Sequence, residues 1–151
     1  MVMCPFAHPD HLLRQPEQTA SIRRGRIDSI VVHQAGTAPA GYVGGGRRHA
    51  VPHFVIEPQG RIFQTRDMGT ASRGPAARRA VHIAFQGESQ PLTASQLTNG
   101  AMLIAWVQSL HPSLALAPVA PEGPALPLAA QLPALSQLAQ DMAPFVPRQA
   151  A

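Results

Sequence analysis

The stretch VPHFVIEPQGRIFQTRD, Val51 to Asp67, decides the fold. An apolar run is followed by Pro58-Gln59-Gly60 and then by a second alternating run. Pro and Gly between two such runs mark a turn, so the stretch predicts a β-hairpin with strands at roughly 52–57 and 61–65. Alternation sets the faces. If Phe54 and Ile56 turn one way, His53, Val55 and Glu57 turn the other. Pro52 lacks a backbone donor, which suits a strand's first position or an edge.

Working outward, RIDSIVVHQAG (26–36) reads as a buried strand. Ile27, Ile30, Val31 and Val32 supply β-branched bulk, and His33 ends the run. The glycines and prolines of 36–50 argue against a long helix. MGTASRGPAARR (68–79) reads as a loop. AVHIAFQGE (80–88) reads as a third apolar strand, with Val81, Ile83 and Phe85 on one face and His82, Ala84 and Gln86 on the other.

PLTASQLTNGAMLIAWVQSLHP (91–112) predicts a helix. Thr93 or Ser95 can cap it, Leu97, Ile104, Trp106, Val107 and Leu110 belong to its apolar face, and Gly100 weakens its middle. A Pro-rich loop is expected over 111–127, then a last amphipathic helix at about 127–142 and a tail over 144–151. Residues 1–20 read as an irregular N-terminal arm, and 21–143 as one domain. Strands interleaved with helices predict an α/β or α+β fold, a single mixed β-sheet of about 5 strands flanked by helices.

The 151 residues include 45% hydrophobic and 13% charged residues, enough apolar bulk for one core. All 12 basic residues are Arg. Arg suits bidentate carboxylate or phosphate contacts, although base composition of the genome gives the same bias. The arginines are scattered and lack interleaved aromatics, which argues against nucleic-acid binding. One cysteine excludes an intrachain disulfide. No apolar run is long enough for a membrane span, and the N-terminus does not read as a secretion signal. The expected setting is either the cytoplasm or delivery to the envelope as part of a phage or particle.

The ordered set IVVHQAGT (30–37), HFVIEPQGRIFQTRDMGTAS (53–72), AVHIAFQGE (80–88) and LTASQLTNGAMLIAWV (92–107) resembles the type 2 N-acetylmuramoyl-L-alanine amidases. That family includes phage-type amidases and peptidoglycan recognition proteins. Thr93-Ala94-Ser95-Gln96 matches its helix-opening Thr-x-x-Gln box, which also makes sense as a capping box. CPFA (4–7) is similar to the opening of some phage-type members. The resemblance implies a zinc hydrolase that cuts the amide between N-acetylmuramic acid and the first L-Ala of the stem peptide.

Zinc in such an enzyme needs three protein ligands and one open position. The resemblance places the first at His33. The segment that should bring the other two reads LALAPVAPEGPALPLAAQ (114–131), with no His, Cys or Asp. Only His111, before it, and Glu122, within it, are candidates, and only in an alternative reading that retains zinc. Pro52 stands where a catalytic Tyr can occur, and Arg73 follows Ser72 where a His is common. The resemblance therefore implies a degenerate member with no cofactor expected, acting as a cell-wall-binding or scaffold module on peptidoglycan or muropeptides. Two alternatives are an active endolysin-like amidase with unconventional ligands and a structural component of a phage tail or injection particle.

Residue by residue, His33 reads as a relic ligand, a hydrogen-bonded pocket residue, or a ligand completed elsewhere. His53, Arg73, Arg79 and His82 are the candidate binding residues. Against that, His53 and His82 can be ordinary buried histidines, and the arginines a solvated face rather than contacts to stem-peptide carboxylates. Cys4, His8, Asp10 and His11 can ligate metals, but their spacing matches no closed zinc pattern, so a surface arm is expected. Ser72 lacks any elbow motif for a nucleophile.

Overall fold

The computed structural model describes residues 3–8, 21–22, 26–35, 52–71, 79–87, 90–111, 114, 119–121 and 126–146. Its strands are β1 (Ser21–Ile22), β2 (Ser29–Ala35), β3 (Phe54–Ile56), β4 (Ile62–Gln64), β5 (Thr70–Ala71), β6 (Ala80–Gln86) and β7 (Val119–Pro121). Its helices are α1 (Ala94–Leu110) and α2 (Leu126–Met142), the latter followed by a 3-10 turn, Ala143–Phe145.

Five strands form a mixed sheet in the order β4-β3-β6-β2-β7. The β3–β4 pair is antiparallel, with Val55 opposite Phe63. The β3–β6, β6–β2 and β2–β7 pairs are parallel. The hairpin turn closes through Glu57 N–H to Arg61 C=O at 2.9 Å and Gly60 N–H to Glu57 C=O at 2.8 Å. Gly60 sits at φ 93°, a left-handed conformation that a side chain disfavours. Its carbonyl accepts from Asn99 Nδ2 at 2.8 Å, which ties the turn to α1.

All seven residues of β6 are buried. This is the expected signature of a central parallel strand covered on both faces. Val81, Ile83 and Phe85 share one core with Ile30, Val32, Phe54 and Ile56 of the sheet. The same core includes Leu103, Ile104, Trp106 and Val107 of α1 and Leu128, Leu135 and Ala139 of α2. Both helices therefore cover one sheet face. Val55 and Ala84, with Phe63 against them, form a small separate cluster on the other.

Thr93 caps α1 with a complete capping box: its hydroxyl accepts from Gln96 N, and its own amide donates to Gln96 Oε1, both at 3.1 Å. Gln96 also donates from Nε2 to Ile56 C=O at 3.1 Å and Gln86 C=O at 2.8 Å. One buried amide thus joins the helix start to β3 and β6. Gly100 faces the sheet, where an added Cβ would lie 2.6 Å from Phe85 Cε1. The glycine weakens the helix locally but lets it approach the sheet.

Four local expectations need correction. The hairpin strands are shorter than expected, three residues each. The segment 68–79 is not all loop, because β5 pairs antiparallel with β1, Ser21 opposite Ala71. The Pro-rich segment 111–127 contains β7, which tolerates Pro121 because it is an edge strand. Cys4 is not on a surface arm. It is 5% exposed, its amide donates to Gln64 Oε1 at 2.8 Å, and Ala7 bridges Ile62 in parallel at the β4 edge.

Candidate functional site

The sheet face away from the helices carries three imidazoles. The two-residue period puts them there. His33 alternates with Val32, His82 with Val81 and Ile83, and His53 stands one residue before Phe54, all of which point to the core. Strand register then brings them together. Val31 pairs with His82 and His33 with Ala84, so His33 and His82 are diagonal neighbours. Phe54 pairs with Ile83, so His53 falls level with His82.

The Nε2 of His33 lies 2.8 Å from the Nδ1 of His82. One nitrogen must carry the proton and the other the lone pair, which makes this an imidazole–imidazole hydrogen bond. The ring centroids are 5.0 Å apart and the planes tilted by 33°. His82 is itself held by His53. Its amide donates to His53 Nδ1 at 3.0 Å, and its carbonyl accepts from His53 N–H at 2.8 Å. The two rings stack with centroids 5.9 Å apart. Burial is nearly complete, 0% exposure for His53 and 3% for His82, whereas His33 is half-buried.

A backbone N–H can only donate, so His53 Nδ1 is the acceptor and a neutral His53 carries its proton on Nε2. Arg66 Nη2 lies 3.1 Å from that Nε2. A guanidinium has no acceptor, so this contact sets two donor groups side by side. The carbonyl of His53 accepts from Thr65 N–H at 2.9 Å, and the Thr65 hydroxyl donates to Pro52 C=O. Pro52 is thus buried at the start of β3, where its missing donor does no harm.

The other sequence candidates lie elsewhere. Arg79 precedes β6 as an exposed residue and pairs with Asp28 at 2.8 Å. His111 ends α1: its amide donates to Val107 C=O at 3.2 Å and its carbonyl accepts from Leu114 N–H at 2.8 Å. His8 lies against Phe63, ring centroids 5.1 Å apart. Asp10, His11, Ser72, Arg73 and Glu122 lie outside the described residues. No motif in the sequence points to Arg66. It reaches His53 from 13 residues away across the hairpin, and only the hairpin reading itself could have suggested it.

The described donors do not fit a zinc site. Among the described residues, no three of His, Cys, Asp or Glu gather closely enough to hold a metal. The facing ring nitrogens of His33 and His82 are too close. Two nitrogens 2.8 Å apart, each about 2.05 Å from one zinc, would subtend an angle of about 86°, well short of tetrahedral. Among the described residues, no helix is long and apolar enough to cross a membrane.

No family model and no curated protein matches this chain. Solved structures do. A selenomethionine AmpD derivative superposes with a TM-score of 0.63 at 16% identity, covering 89% of this chain and 99% of that one. The endolysin N-acetylmuramoyl-L-alanine amidase LysCS from Clostridium intestinale URNW gives 0.52 at 18% identity, covering 80% and 76%. PGRP-Hd from Alvinella pompejana gives 0.53 at 16% identity, covering 70% and 78%. At these identities the likeness concerns architecture. The chain has the α+β fold of the N-acetylmuramoyl-L-alanine amidases and peptidoglycan recognition proteins.

Proposed function

We propose that this chain is a degenerate amidase-like domain without zinc hydrolysis, acting either as a cell-wall-binding module on peptidoglycan or as a scaffold. One observation carries the reading: on an amidase-type sheet, the His33 Nε2 is hydrogen-bonded to His82 Nδ1 at 2.8 Å. Fold alone does not decide activity, so the argument rests on the donors at that position. Hydrolysis through zinc needs three ligands and an open place for water. The segment 114–131 offers only Glu122 as an acidic or imidazole donor, and that residue follows directly on Pro121 of β7.

The binding half and the catalytic half are tested separately. Purified protein is mixed with insoluble peptidoglycan at low salt and sedimented. It should co-sediment, and the supernatant should contain no newly released stem peptides with a free L-Ala amine, even with zinc supplied. Release of such peptides would make the chain an enzyme. Protein that stays in the supernatant would remove wall recognition and leave only the scaffold role.

A further inference from the structure

We infer that His82 blocks metal coordination at His33 Nε2 by occupying that nitrogen, so that the pair works as a fixed imidazole latch. The inference rests on the degenerate reading above and gives it a physical cause within the sheet.

The starting point is the 2.8 Å separation between His33 Nε2 and His82 Nδ1. Two proton placements are possible, and both exclude a metal. If His82 Nδ1 carries the proton, it donates into the His33 lone pair that a metal would need. If His33 Nε2 carries the proton, it has no lone pair to offer. A metal must therefore break this bond before it can bind there.

A metal approaching His33 Nε2 in place must displace the His82 ring, and the surroundings hold that residue. Its amide and carbonyl are both bonded to His53, at 3.0 and 2.8 Å. Its ring stacks on the His53 ring with planes 19° apart. At 3% exposure, it has little solvent to swing into. His82 lies near the start of β6, with β2 on one side and β3 on the other. A rotated ring would leave a void and a buried ring nitrogen without its partner, each a cost in a close-packed interior.

His33 pairs with Ala84, and beyond Ala84 the row continues to Val55 and Phe63. The other side chains of that row are apolar.

Nuclear magnetic resonance of the 15N-labelled full chain tests the latch directly. Long-range proton–nitrogen spectra should show one of the two facing nitrogens protonated and the other unprotonated, with a scalar coupling between them across the hydrogen bond. Equimolar zinc should leave both resonances and the coupling unchanged. Loss of the coupling together with a joint zinc-induced shift of both nitrogens would overturn the inference. In His82→Ala, the His33 Nε2 resonance should respond to zinc at concentrations that leave the wild type unchanged. A folded His82→Ala without that response would also overturn it, because His82 would then not be the block. If the variant does not fold, the wild-type coupling and its response to zinc still decide. The outcomes separate from those of the wall assay. A zinc shift without peptide release removes the latch and leaves the degenerate reading. Peptide release with an intact coupling does the reverse.

Discussion

The amide of His82 donates to the ring of His53, while the amide of His53 donates to the carbonyl of His82, at 3.0 and 2.8 Å. A side chain thus completes a rung of the β3–β6 ladder before β3 begins. His53→Ala should leave the His82 amide unsatisfied and open a void at a site with no exposure. The two effects together should cost about 2–4 kcal/mol in urea denaturation. His53→Asn, whose Oδ1 sits near the place of Nδ1, should recover part of that loss. If His53→Ala and wild type unfold at the same urea concentration, the side-chain rung contributes nothing.

Gly100 sets helix propensity against packing. Alanine would favour the helix by roughly 1 kcal/mol. Its Cβ would meet the Phe85 ring at 2.6 and 2.7 Å, and such overpacking costs about 1–3 kcal/mol. Packing should win, so Gly100→Ala should lower the melting temperature. Phe85→Leu added to it should restore part of the loss, which a purely local helix effect would not allow. A rise in melting temperature for Gly100→Ala alone would refute the close approach of α1 to β6.

Local chemistry made much of this legible in advance. Thr93 and Gln96 stand three residues apart, and that spacing alone defines the capping box that forms. Period-2 alternation puts His33 and His82 on the face opposite the core. What alternation cannot supply is register, and register makes the two rings touch: a shift of one residue along β2 would have separated them. The burial of Cys4 depends on Gln64, 60 residues away. β7 forms within a Pro-rich stretch because β2 leaves an edge for it, a tertiary fact that overrides poor strand composition. Gly100 reads as a helix weakness until Phe85 is placed beneath it.

Gln96 should matter more than the cap it completes. Thr93→Ala removes an N-cap and also the 2.6 Å bond from its hydroxyl to Pro58 C=O, a loss of about 0.5–2 kcal/mol. Gln96→Ala leaves the carbonyls of Ile56 and Gln86 without this donor in a buried place, which should cost about 2–4 kcal/mol. Denaturant midpoints of the two variants check the order. A Thr93→Ala loss equal to or larger than that of Gln96→Ala would show that Gln96 acts only through the cap.

Cys4 gives the chain a pH dependence on the alkaline side. Burial pushes its thiol up from 9.0 to about 11, against a smaller downward pull from hydrogen bonds to the Phe6 and Ala7 backbone. The folded state therefore prefers the neutral thiol. A group whose folded pKa is raised stabilises the fold below its unfolded pKa, and that contribution fades as pH climbs through the folded value. Stability should be flat with respect to this group below about pH 9 and fall between about 9 and 11. The chain has no lysine and one tyrosine, so few other side chains titrate in that window. Urea midpoints measured from pH 8 to 11 should decline for the wild type and decline less for Cys4→Ala. The same burial should keep the thiol slow towards iodoacetamide at pH 8 until denaturant is added, since the thiolate is the reactive form. Rapid labelling of the native protein at pH 8, or an alkaline decline identical in Cys4→Ala, would show that Cys4 is not held in the core.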